Sequence, residues 1–100
     1  MTEIEVRVSE KAKMAAAEGI IEGACANAQL TCVMKGQTRT HPGAVHWHFK
    51  KGKEPGTLEI SWWPRERRCW FTMQDGRKGD WSDAMAAKLK PQIEKAMAKG

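Results

Sequence analysis

Two turn-forming stretches, Gly52-Lys53-Glu54-Pro55 and Pro64-Arg65-Glu66-Arg67, divide residues 44–74 into three strand-like runs. They constrain the fold more than any other feature, because a one-residue slip in strand pairing would turn every apolar side chain to the wrong face. A four-residue turn at 64–67 sets Trp63 opposite Arg68, so that Trp62 faces Cys69, Ile60 faces Phe71 and Leu58 faces Met73. A four-residue turn at 52–55 sets Lys51 opposite Gly56, which brings Phe49 to Leu58, Trp47 to Ile60 and Val45 to Trp62. The two turns are independent, yet both put the apolar residues on the same face. An antiparallel meander with one buried face follows.

The flanking segments supply what covers that face. Ile4, Val6 and Val8 alternate with charged residues, the pattern of a short strand over 3–8, and Ser9 is a candidate N-cap for a helix behind it. Met14, Ala17, Ile20, Ile21, Ala24, Cys25 and Ala28 recur at helical spacing and predict a first helix ending near Asn27. Residues 30–34 read either as an edge strand, the preferred reading, or as an untidy last turn of that helix, and 36–43 as a polar connector closing in a His-Pro-Gly turn. Trp81, Met85, Leu89, Ile93 and Met97 mark a last helix, which Pro91 is expected to kink or break near Ala87. The expected fold is α+β: an antiparallel sheet, with the meander 44–74 and short edge strands 3–8 and 30–34, and an N-terminal and a C-terminal helix packed on one face. At 100 residues this is a single domain, 1–100.

Composition narrows the function classes. No run is long and apolar enough to span a bilayer, so no membrane partner is expected. The acidic, alternating start is unlike a secretory signal. Cys25, Cys32 and Cys69 are odd in number and lack a C-x-x-C spacing; reduced thiols and a cytoplasmic location are expected. Residues 36–80 hold nine basic and five acidic side chains, all three histidines and four of the five tryptophans. The binding surface is therefore sought there.

In the register above, the outer face of the meander places His46, Ser61 and Trp70 in one cross-strand row, with His48, Glu59 and Thr72 in the next and Trp63 beside Arg68. Lys50, Lys51 and Lys53 fall at the same end as Arg77 and Lys78, while Arg65, Arg67 and Arg68 gather at the other. Flat rings between basic margins suit unpaired bases on a phosphate track. The expectation is a non-catalytic binding domain with single-stranded or irregular nucleic acid as its first candidate partner, through His46, His48, Trp63, Trp70, Arg68, Lys50, Lys51, Lys53, Arg77 and Lys78. The alternative is a protein-interaction or homodimerisation domain using the same face, since Trp and Arg commonly anchor interfaces.

The same residues suggest two further chemistries, neither of which is expected. His46-x-His48 puts two imidazoles on one strand face, with His41 or Glu59 as a third ligand, but an exposed pair needs no ion. No metal or cofactor is expected, and added zinc should leave the melting temperature unchanged. His48 oriented by Glu59, and His46 beside Ser61, resemble a base-and-hydroxyl arrangement. A sheet face without a covering layer would leave it wet, so no catalytic residue is assigned. Trp70, read as an outward ring, is expected to matter far less to stability than the core ring Phe71.

Overall fold

The computed structural model describes residues 1–99. Five strands, β1 (Thr2–Val6), β2 (Thr31–Gly36), β3 (Val45–Lys50), β4 (Leu58–Trp63) and β5 (Arg68–Met73), form one antiparallel sheet in the order β1-β5-β4-β3-β2. Helix α1 (Ala17–Asn27) follows β1, and helix α2 (Ser82–Ala98) is the last element among the described residues. Both pack on the face that carries Trp47, Phe49, Leu58, Ile60, Trp62, Cys69, Phe71 and Met73. Ile21 and Cys25 of α1 and Leu89, Ile93 and Met97 of α2 meet that face with no exposed surface. Burial of this apolar set at about 25 cal/mol per Å² is the main force holding the two layers together.

The meander has the predicted register: Val45 pairs with Trp62, Trp47 with Ile60, Phe49 with Leu58, Ile60 with Phe71, Trp62 with Cys69 and Trp63 with Arg68. The N-terminal strand adds to its free β5 edge, pairing Ile4 with Phe71 and Val6 with Cys69. Residues 31–36 are indeed the opposite edge strand, irregular between Cys32 and Met34. Among the described residues no helix is long and apolar enough to cross a membrane.

Two local expectations need correction. Ser9 does not cap α1. Its hydroxyl accepts from the Lys11 backbone N–H at 3.1 Å and its carbonyl from Ala12 at 3.0 Å, closing a turn, and the helix begins only after a short 3-10 segment at Met14–Ala16. The chain uses those residues to cross from the sheet to the helix layer, burying Ala12 on the way. Pro91 does not break α2, which continues from Ser82 to Ala98. Pro91 and Ala87 both lie on the exposed side of the helix, where the carbonyl that loses its donor is open to solvent.

The three thiols separate by environment. Cys25 and Cys69 are fully buried, and burial pushes each up to about 12, whereas Cys32 on the edge strand is exposed. A thiolate is the reactive form. A disulfide reagent such as DTNB is therefore expected to titrate one thiol in the native chain and three in urea; rapid native reaction of more than one would contradict the core assignment.

Candidate functional site

The outer face of the sheet is shaped by the segment joining β2 to β3. Within it, His41-Pro42-Gly43-Ala44 makes a tight turn, closed by the Ala44 N–H to the His41 carbonyl at 2.9 Å, with Gly43 at φ +86°. Proline second and a glycine at positive φ third is what a type II turn demands. The turn lays His41 across the tryptophans, its ring centroid 4.8 Å from Trp63 edge-on and 5.0 Å from Trp70. The Trp63 indole N–H donates to the Pro42 carbonyl at 2.9 Å, which pins the turn. Arg68, ion-paired with Glu5, lies 4.6 Å over the Trp70 ring, a cation–π contact.

Trp70 does point to the outer face, as the register requires, but it is only 3% exposed. The expectation that it matters far less to stability than Phe71 rested on an exposed ring and is corrected: His41 and Arg68 form a second small layer over it. The sheet face is also not the open surface that counted against buried chemistry. Thr38, Thr40 and His41 on one side and Met1 and Glu3 on the other wall a recess of about 310 Å³, floored by His46, Glu59, Ser61, Trp70, Thr72 and Gln74. Its floor is dry for polar side chains, with Glu59 at 3%, Ser61 at 4% and Thr72 at 7% exposed. Thr38 Oγ1, in the wall, is buried without a hydrogen-bond partner.

Strand pairing accounts for the cluster in the floor. His46 and His48 lie two residues apart on β3 and so share a face, while β4 places Ser61 opposite His46 and Glu59 opposite His48. His46 Nδ1 is 2.7 Å from Ser61 Oγ. His46 Nε2 is 3.1 Å from both His48 Nε2 and Glu59 Oε1, and His48 Nε2 is 3.6 Å from Glu59 Oε1. Gln74 Nε2 donates to Glu59 Oε1 at 3.2 Å and Oε2 at 3.0 Å, holding the carboxylate from behind. Burial pulls the His46 pKa below the ordinary histidine value, against the opposing pull of Glu59; His48 adds to the lowering. In its neutral form His46 has one ring nitrogen able to act as an electron-pair donor. Ser61, His46 and Glu59 also form a hydroxyl–imidazole–carboxylate chain, but Glu59 is shared with His48 and Gln74 and Ser61 is sunk at the level of the sheet.

The basic residues divide. The β3–β4 turn and the stretch after β5 are joined by the Thr57 N–H donating to the Arg77 carbonyl at 2.7 Å, so Lys50, Lys51 and Lys53 share one end of the sheet with Arg77 and Lys78. Lys51 pairs with Glu54 at 3.5 Å and Lys78 with Asp83 at 2.9 Å, which lowers the field of this rim. At the other end Arg67 donates to the Ser9 carbonyl at 2.7 Å. The structure therefore places His46 and Trp70 in the recess, His48 against His46 and Glu59 of its floor, and Trp63 and Arg68 at its border, and leaves the five rim cations at the end of the sheet. Sequence reasoning missed Thr38, Thr40, Gln74 and the covering role of His41; the Pro-Gly turn was the one local signal pointing to the last. The exposed large apolar side chains of the sheet, Val33 and Met34, are on the edge strand β2, two strands from Trp63 on β4 and three from Trp70 on β5. Set against models of known protein families, curated proteins and solved structures, the chain matches none of them.

Proposed function

We propose that this chain is a non-catalytic binding domain whose working surface is the recess on the outer face of its sheet. The observation that carries the reading is the polar, buried floor: Glu59, Ser61 and Thr72 are withdrawn from water on the side of the sheet away from the core. Burying ionisable and hydroxyl groups costs stability compared with apolar packing. A surface evolved only to close the fold would put β-branched or aromatic residues there instead. The unpartnered Thr38 hydroxyl in the wall is in keeping with a polar ligand.

A second reading, polyanion binding, draws on the rim formed by Lys50, Lys53 and Arg77 with the paired Lys51 and Lys78. In that reading Trp63 supplies the stacking surface, and Trp70 joins it only if segment 37–43 lifts away. Both readings are tested by following backbone amide and indole N–H resonances of the full chain during separate additions of zinc chloride, a nucleoside monophosphate and single-stranded polynucleotide. Saturable shifts centred on residues 38–41, 46–48, 59–61 and 70–74 with at least one probe are expected. Shifts confined to the helices, or none with any probe, overturn the recess reading. For the polynucleotide, replacing Arg77 should lessen the logarithmic salt slope by about 0.7 on single strands if the rim contacts phosphate; an unchanged slope removes the second reading.

A further inference from the structure

Three electron-pair donors converge in the recess floor. His46 Nε2, His48 Nε2 and Glu59 Oε1 form a triangle with sides of 3.1, 3.1 and 3.6 Å. In a tetrahedral zinc site with bonds of about 2.0–2.2 Å, any two ligand atoms stand roughly 3.3–3.6 Å apart. The 3.6 Å side matches that spacing and the two 3.1 Å sides, both from His46 Nε2, fall about 0.2 Å short of it, so a small outward shift of His46 turns the triangle into three vertices of such a tetrahedron. Without an ion it is hard to satisfy, because one proton between the two imidazole nitrogens serves one contact and leaves other lone pairs facing each other.

The charge balance points the same way. Glu59 is almost fully buried, and its contacts are two imidazoles and the neutral amide of Gln74, with no Lys or Arg among them. A buried carboxylate is ordinarily matched by a cation or a metal. The surrounding hydrogen bonds are those that metal ligands require. With its proton on Nδ1, His46 donates to Ser61 Oγ and presents the Nε2 lone pair, while Gln74 fixes the carboxylate.

We infer that His46, His48 and Glu59 bind a divalent transition-metal ion, zinc first, in a three-ligand site whose remaining coordination position opens into the recess. This deepens the recess reading and rests on it. Two nitrogen donors and one carboxylate favour zinc or iron(II) over the oxygen-seeking magnesium and calcium. Three protein ligands leave room for a water or for a donor atom of a second ligand. Thr38, Thr40 and His41 wall the space above and would set which ligands reach that position. An exposed histidine pair would need no ion, but here Glu59 is buried and the three donor atoms converge on one point.

The test is calorimetric titration of the full chain, dialysed against a chelator, with zinc chloride, alongside cobalt(II) addition followed by visible absorption. One ion per chain and a cobalt spectrum of four- or five-coordinate type are expected. His48→Ala and Glu59→Gln should each weaken zinc binding at least roughly a hundredfold, and Gln74→Ala by about 10–100-fold, the range for lost outer-shell partners. Cys32→Ser, which removes the exposed thiol, should leave affinity unchanged. The unaltered chain alone keeps the proposal falsifiable should a variant not fold: no zinc binding tighter than about 0.1 mM, or only the spectrum of hydrated cobalt, overturns it. Binding that survives His48→Ala and vanishes with Cys32→Ser overturns it as well. A chain that binds no zinc yet shows recess-centred shifts with a nucleotide loses this inference and keeps the recess reading.

Discussion

Replacing Gly56 with Ala is expected to destabilise the chain by about 3 to 5 kcal/mol, read from the midpoint of urea denaturation. Gly56 lies at φ +101°, and a Cβ there would overlap the backbone nitrogen and Cα of Gly79. Neither atom is the end of a flexible side chain, so the relief must come from backbone movement, which costs about 1–3 kcal/mol. A non-glycine residue in this conformation costs about 1–3 kcal/mol more. The two glycines meet where the β3–β4 turn crosses the stretch leading into α2, beside the Trp81 indole N–H that donates to the Pro55 carbonyl at 3.0 Å. Gly52 provides the control. It also has positive φ, +55°, but open space around it, so Gly52→Ala should cost only about 1 kcal/mol. Equal costs for the two would show that the crossing is not tightly packed.

Phe71→Ala is expected to cost about 3–5 kcal/mol, as for a fully buried aromatic ring in a core that cannot collapse around the gap. The neighbouring ring makes the sharper comparison. Trp70 faces the opposite side of the sheet, yet His41 and Arg68 cover it. Trp70→Ala should therefore cost about 3 kcal/mol, at the low end because the covering turn can settle into part of the space. Trp63, half-buried and held by one hydrogen bond to Pro42, should cost about 1–2 kcal/mol. Trp70→Ala should also speed amide hydrogen exchange in residues 37–43, which Phe71→Ala should do only through global unfolding. A Trp70→Ala cost as small as that of Trp63→Ala would mean that segment 37–43 stands away from the sheet.

The register of β3, β4 and β5 was legible because each strand must satisfy two faces at once, and only one pairing does so for Trp47, Ile60 and Phe71 together. The rows His46–Ser61–Trp70 and His48–Glu59–Thr72 were legible for the same reason. What covers those rows was not. Segment 37–43 carries no periodicity, and although Pro42-Gly43 announces a turn, nothing local says that the turn folds back over Trp63 and Trp70. Burial of Glu59 was hidden by the same gap, since a glutamate on the outer face of a sheet is ordinarily solvated. In sequence the cluster reads as an exposed pair of histidines, and its closure follows from tertiary packing. Ser9 misled for a different reason: an ideal cap residue can close a simple turn as well as a helix.

The most direct measurement is an anomalous-scattering difference map recorded at the zinc absorption edge from crystals of the chain grown with zinc. The account predicts one strong peak in the recess floor, about 2.0–2.2 Å from His46 Nε2, His48 Nε2 and Glu59 Oε1, with residues 37–43 closed over Trp70. No peak there, or a peak only at Cys32 or on the surface, would contradict it.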